Sequence, residues 1–461
     1  MAFVHLHNHS DFSILDGATR IPDMVKRAND LGMPAIALTD HGYMFGVPNL
    51  DLECRKYNDG QENMKRWRHD LECFQKGWAL DEPEADAEGA SYFDRVHDQW
   101  ASDVAVWESS GHDLASVKAN RPRLKVKPIF GCEAYFITDD CIERGSKQRR
   151  YHLILLAKNE TGYVNLIRCM SKAAGHEMMY YRPRTTFAML EEYHDGLVCQ
   201  SACVQGIIQQ HVLDGQFDDA YEWARRFKGL FGDDFYLEVQ DHGLEFRNGW
   251  NDRKLDEYLV KMAHELDIKV IATNDFHYLN REDAPTQDIL SCIGKATTLD
   301  NPDRMKMDGS EFYMKTEEEM RARFSWIPEA CDNTLEVASK CDFELDWSSM
   351  YLPQYPGLRP GESADSRFRD ECEKGLAKRY GDDWRNVVIN GVNVQERFEY
   401  EYKVICDKGF ANYFLIVQDY VQWAKDNGIG VGPGRGSAAG AIVAYAMNIT
   451  SFDPLENGLM F

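Results

Sequence analysis

No apolar run in the sequence approaches the roughly 20 residues that a bilayer-spanning helix requires, so a membrane protein is not expected. The start, Met1-Ala2-Phe3-Val4-His5, carries no basic flank ahead of an apolar stretch, which argues against a secretory leader. The twelve cysteines form no C-x-x-C pair and no regular framework, and read as reduced, mostly buried thiols of a cytoplasmic protein. Positive charge is also scarce. Lys and Arg number 52 against 76 Asp and Glu, a net charge of −24. A basic surface is the usual footprint of nucleic-acid binding, so such contacts would have to rest on local stretches. Ser146-Lys147-Gln148-Arg149-Arg150 and Arg182-Pro183-Arg184 are two, each equally readable as a solvated loop.

What is present is an ordinary globular composition, 44% hydrophobic and 28% charged over 461 residues. That length suits about two to four domains. Short apolar runs alternate with helical periodicity through the first part of the chain. Residues 3–6, 35–38, 127–133, 152–157, 196–203, 235–239 and 269–273 read as strands. Residues 21–31, with Thr19 as cap, and residues 163–173, 217–230 and 255–266 read as helices. About seven such units predict an α/β fold, a distorted parallel (β/α)7 barrel resembling that of triosephosphate isomerase, over residues 1–280. Residues 55–122 interrupt the series. They read as a partly helical insertion packed through Trp67, Trp78, Trp100 and Trp107, with an acidic run from Asp81 to Glu88 as a solvated loop.

Ligand-type side chains gather where these strands start or stop. His5 and His7 are two apart, as are Asp275 and His277, and in extended chain such pairs share a face. His5, His7, Asp16, His41, Glu133, His152, Cys203, Asp275 and His277 would meet at one rim as a site for several divalent metals. Asp40 is expected to orient a neighbouring imidazole, His242 to line the pocket, and Cys199 to lie deeper on the face of Cys203. Clustered metals with nitrogen and oxygen ligands suit hydrolysis of phosphate esters.

Beyond residue 280 the pattern changes. Residues 317–324, 398–406 and 413–426 read as helices, the last with Tyr413, Ile416, Val417, Tyr420 and Trp423 on one apolar face. Residues 352–361 look like a linker or surface crossing. Gly430-Val431-Gly432-Pro433-Gly434-Arg435-Gly436-Ser437 then runs into an apolar helix, 438–447, whose N-terminus would receive a triphosphate with help from Arg435 and Ser437.

Taken together, the His5-x-His7, Asp16-Gly17, Thr39-Asp40-His41-Gly42, Gly131-Cys132-Glu133 and Asn274-Asp275-x-His277 segments resemble the PHP (polymerase and histidinol phosphatase) domain. The later Gly409-Phe410-x-x-Tyr413-Phe414-Leu415 and Gly432-Pro433-Gly434-Arg435-Gly436-Ser437 segments resemble the bacterial DNA polymerase III alpha family. The resemblance implies a PHP domain over 1–280 and, over 281–461, the incomplete α+β palm of a polymerase-beta-like replicase. It implies that the nine rim residues hold three Mn²⁺ or Zn²⁺ ions for a proofreading 3′–5′ exonuclease. It places Arg435, Gly436 and Ser437 on the incoming nucleotide and the palm's Mg²⁺-binding Asp-x-Asp beyond Phe461, so that this stretch alone would not polymerise. DNA primer-template, deoxynucleotides, sliding clamp and clamp loader are the implied partners, the last two mostly through regions further on. A free-standing phosphatase of histidinol-phosphatase type fits less well, because the Gly-Arg-Gly-Ser segment would serve no purpose there. A catalytically silent, metal-stapled scaffold is a third reading, against which the intact ligand set weighs.

Overall fold

The computed structural model describes residues 2–56, 60–78, 80, 90–119, 126–138, 149–304, 306–347, 352–434 and 436–461. These divide into two compact units, Met1–Leu345 and Asp346–Phe461. The first is built on a six-stranded sheet: β1 (Ala35–Leu38), β2 (Lys127–Phe136), β3 (Tyr151–Ala157), β4 (Leu197–Gln200), β5 (Phe235–Val239) and β6 (Lys269–Ala272), paired in chain order. Helices such as Ile21–Asp30, Glu160–Ala173, Phe217–Phe231 and Asp252–Leu266 stand between or beside them, as the periodicity predicted. Arg20 rather than Thr19 is the N-cap of the first, and Thr19 is buried.

Two features depart from a regular parallel barrel. The expected first strand is an extended segment without a ladder of its own. It lies between the first and last strands, where Ala37 N donates to His5 O at 3.1 Å and His9 N to Phe276 O at 2.9 Å. The second departure is β3, which runs antiparallel to both β2 and β4, while β1–β2, β4–β5 and β5–β6 are parallel. This reversal matters for the site. The start of β3 lies at the edge where the parallel strands end, and Tyr135 of β2 faces His152.

Alternation along each strand sorts the two faces. Ile129, Ile154, Val198, Tyr236 and Ile271 pack together inside the curled sheet with Val337 and Ala338 of helix Pro328–Lys340. The intervening residues Cys132, Leu155, Cys199, Leu237 and Val270 pack outward under the surrounding helices. Two or four positions further along the inner face come Glu133, Gln200, Glu238 and Thr273, all buried. The inner face is therefore apolar at one end and polar at the other. Helix Pro328–Lys340 belongs to this core, and the compact unit that holds it runs to Leu345.

The interruption after β1 contains helices Gly60–Lys76, Ala90–Ser109 and Leu114–Ala119. Trp67 Nε1 donates to Val117 O at 2.9 Å, and Phe74 stacks on Trp107 at 4.3 Å. Trp78 is exposed, and the acidic run from Asp81 to Glu88 lies outside the described residues. The described cysteines are free thiols, buried except for Cys406. No helix among the described residues is long and apolar enough to cross a membrane.

The second unit is mainly helical, with a short hairpin of β7 (Val388–Ile389) and β8 (Val392–Asn393). Phe368, Cys372, Phe398, Leu415 and Ile442 form its core. On the apolar face of helix Ala411–Asp426, Tyr413, Tyr420 and Trp423 are exposed, while Ala411, Leu415 and Val421 are buried. The apolar helix expected over 438–447 is a 3-10 stretch, Gly436–Gly440, followed by a short helix, Ile442–Ala446.

Candidate metal centre

His7, His9, Asp16, His41, Glu133, His152, Cys203, Glu238, Asp275 and His277 lie at the polar end of the sheet. Most of them line a cavity of about 580 Å³. Their chain segments converge because the strands end there, and three of the turns that deliver them carry left-handed backbone at non-glycine residues: Leu15 (φ 62°), Ala202 (φ 62°) and Asp275 (φ 43°). Such conformations persist only where surrounding structure holds them, and they concentrate at functional sites.

Three overlapping trios bring ligand atoms within 4.8 Å of one another: His7, His9 and Asp275; His9, His41 and His277; and His41, Glu133 and His152. His7 Nε2 is 3.1 Å from both Glu133 Oε1 and Asp275 Oδ1. His9 Nε2 is 3.1 Å from Asp275 Oδ1. His152 Nδ1 is 2.7 Å from Glu133 Oε1, and His41 Nε2 is 3.0 Å from Asp16 Oδ2. Yet His7 Nε2, His9 Nε2, His41 Nδ1, both Glu133 oxygens and Asp275 Oδ1 are buried without a hydrogen-bond partner. Close approach without hydrogen-bond geometry is what acceptors aimed at a common cation show. Buried polar atoms left unsatisfied are costly, so this donor set fits divalent metal.

The second nitrogens of the imidazoles are engaged in ways that leave those acceptors free. His7 Nδ1 donates to buried Glu238 at 2.6 Å. His277 Nδ1 donates to Asp275 O at 2.8 Å. His9 Nδ1 donates to Ser13 Oγ at 2.9 Å, and Ser13 in turn donates to Asp40 at 2.7 Å. Asp40 also accepts from Ser10 N and Ser10 Oγ. Asp40 thus orients His9 through Ser13. The loop that makes this possible turns tightly at Gly17, where a Cβ would lie 2.0 Å from Ser10 O. Gln240 donates to Glu238 at 2.8 Å and to Thr273 at 2.9 Å, holding the Glu238 carboxylate in register.

Burial would lift the carboxyls of Glu133 and Asp275. The imidazoles around them, His152 and His41 for the first and His7 and His277 for the second, outweigh it and hold both below the usual carboxylate range. Burial lowers His9 to about 3, while for His7 the carboxylates of Asp275 and Glu238 overcome burial and raise it.

His5 does not join the site. Val4 and Leu6 take the inner face, so His5 points outward, edge-on to Phe3 and Phe276 at 5.0 and 5.2 Å. Its Nε2 donates to Lys315 O at 2.9 Å, and burial lowers it to about 4. A bend at His7 ends the alternation, so the pair reaching the rim is His7 and His9. The His7-x-His9-Ser10 spacing was the available sign, and Glu238 was visible as the one acid in an otherwise apolar strand. Cys203 Sγ lies 3.6 Å from His152 Nδ1 but belongs to no trio, and burial pushes its thiol up. Cys199 is buried on the outer face. His242 lines the cavity, stacked on Phe312 at 4.0 Å.

In the second unit, Gly436 and Ser437 are exposed in the 3-10 stretch, and Ser437 caps no helix, the N-cap of Ile442–Ala446 being Ala441. Arg435 lies outside the described residues.

The PHP domain family matches residues 5–69 and 93–242, and the family described as "Bacterial DNA polymerase III alpha NTPase domain" matches residues 366–461. DNA polymerase III subunit alpha of Borreliella burgdorferi is 37% identical over 463 residues, covering 100% of this chain. The chain is thus similar to bacterial DNA polymerase III alpha subunits along its whole length. The Treponema pallidum subunit is 36% identical over 465 residues and that of Aquifex aeolicus 34% over 476, each across 100% of this chain. The chain covers 33% of the first two relatives and 34% of the third, about a third of their length. The metal-ligand geometry just described lies in the PHP region, apart from Asp275 and His277, which lie beyond the matched residues.

Proposed function

We propose that this chain is the PHP-bearing portion of a cytoplasmic replicative DNA polymerase and that its PHP domain is a metal-dependent 3′–5′ exonuclease. The observation that carries the reading is the set of orphaned nitrogen and oxygen atoms buried at one strand edge beside a cavity roomy enough for a nucleotide. The three trios would hold three divalent ions, and mixed imidazole and carboxylate donors suit Mn²⁺ or Zn²⁺. When bound, such ions activate water and stabilise the charge on a departing oxygen of a phosphodiester.

The protein's own groups do the rest. Glu238, Ser13 and the Asp275 carbonyl fix the imidazole tautomers so that acceptor nitrogens face the phosphate site. Gln287 Nε2 donates to Asp16 Oδ1 at 3.1 Å, setting that carboxylate at the cavity wall. In the longer protein Arg435, Gly436 and Ser437 would contact the incoming deoxynucleotide, with Mg²⁺ held by the palm, and primer-template, sliding clamp and clamp loader would be its partners.

The purified chain with Mn²⁺ is expected to shorten a 3′-labelled primer, and Asp16→Asn and His9→Ala are expected to abolish this. Equal degradation by wild type and variants would defeat the reading.

A further inference from the structure

The rim beside His41 carries surface that the hydrolytic site does not use. Gly42 (φ 68°) donates to Glu133 O at 2.8 Å, and a Cβ there would meet the Tyr135 ring at 3.1 Å and Pro183 Cγ at 3.2 Å. The loop after His41 is therefore pressed against the arm that carries residues 180–184. Met44 packs inward, and its neighbours Tyr43 and Phe45 stack on each other at 5.2 Å and 11°, with Phe45 68% exposed. On the adjoining arm Tyr181 is 80% exposed, held with φ 58°. The two arginines of that arm have separate fates. Arg184 is buried and donates to Met178 O at 2.6 Å, anchoring the arm. Arg182 is exposed, lines the metal cavity, lies over the Tyr135 ring at 5.9 Å, and has no acidic partner among the described residues.

Large rings kept in water beside a cation aimed into a phosphoester cavity are the makings of a single-strand path. Bases stack on exposed aromatics regardless of sequence, while cations follow the backbone. In a chain of net charge −24 a cation so placed has a specific use. We infer that Phe45, Tyr181 and Arg182 form an entry track for single-stranded nucleic acid, bases stacking on the two rings and Arg182 holding the phosphate that precedes the metal site. A base-paired end presents no free base faces to this rim, so the track selects unpaired 3′ ends. The inference rests on the phosphodiesterase reading of the same cavity and names its substrate form.

The test measures binding separately from hydrolysis, with the complete 461-residue chain. A fluorescent single-stranded oligodeoxynucleotide is titrated in Ca²⁺ by anisotropy, and its digestion in Mn²⁺ is followed alongside that of bis(p-nitrophenyl) phosphate. Phe45→Ala and Tyr181→Ala are each expected to weaken strand binding about tenfold, within the range of one lost base stack. They should raise KM for the strand more than they lower kcat. Arg182→Ala should also flatten the dependence of log affinity on log salt by about 0.7, one phosphate contact. Strand affinity and salt slope equal to wild type in all three variants would overturn the track. So would an equal loss on the small ester, which crosses no rim. If wild type binds the strand through these residues yet hydrolyses neither substrate, the track stands and the exonuclease reading falls.

Discussion

Glu238 accepts a hydrogen bond from His7 Nδ1 at 2.6 Å, both side chains fully buried, and this contact joins the fifth strand to the N-terminal segment. It sets which nitrogen of His7 faces Glu133 and Asp275. Partners of this kind typically contribute tenfold to a hundredfold in metal affinity. Glu238→Gln keeps the size and an acceptor oxygen but removes the charge. Manganese affinity, measured by titration calorimetry, should fall by about ten- to a hundredfold. Unchanged affinity would mean that the His7 tautomer is held by other contacts.

His5 and His9 offer a sharper contrast, because both are buried histidines in one short segment with opposite surroundings. His9→Ala removes a member of two trios and should lower the bound-metal stoichiometry read by elemental analysis. His5→Ala should leave the stoichiometry alone. It empties a slot between Phe3 and Phe276 and orphans Lys315 O, a change expected to destabilise folding by about 2–4 kcal/mol in urea melts. The reverse pattern would restore His5 to the site.

That contrast also marks how far the residues alone could be read. Strand positions, the rim at which they end, and the gathering of Asp16, His41, Glu133, His152, Asp275 and His277 were legible, because apolar runs bounded by ligand-type residues repeat along the chain. The choice between His5 and His9 was not. It depends on a bend at His7, and period-two alternation cannot foresee where extended chain bends. The reversal of β3 was equally hidden, since an apolar run carries no sign of its direction. His152 was placed at the site all the same, because reversal put a strand start where an end was expected. In the second unit, spacing puts Tyr413, Ile416, Val417, Tyr420 and Trp423 on one apolar helix face, yet Tyr413, Tyr420 and Trp423 are exposed. Aromatic residues at helical spacing do not say on which side the neighbouring helix lies.

Metal removal should weaken the fold itself. Without a cation, His7 Nε2, His9 Nε2 and the Glu133 oxygens face one another without hydrogen bonds in a water-poor interior. A ligand at a hundred times its dissociation constant stabilises the native state by about 2.7 kcal/mol. The melting temperature should therefore rise with Mn²⁺ concentration and drop on chelation, and the drop should disappear in His9→Ala. A chelator-independent melting temperature in wild type would show that the cluster is stable as bare protein.

Asp252 provides a pH signature away from the metal ligands. Its Oδ2 accepts from His242 N at 2.9 Å and Leu244 N at 2.7 Å. Burial nonetheless raises the carboxyl to about 6, the backbone donors pulling against it and Asp241 adding to it. The folded chain therefore binds this proton more tightly than the unfolded one, whose pKa is about 3.9. Stability falls as pH rises from about 4 to about 6, and the penalty is complete above that. Asp252→Asn retains an oxygen for both N–H groups and cannot ionise. Urea melts should show the variant on the order of 1–2 kcal/mol more stable than wild type near pH 7.5. Near pH 4, where wild type is itself protonated at this position, the two should converge. A gain of equal size at both pH values would assign the effect to packing, and no gain at the higher one would show that the two backbone donors already offset the buried charge.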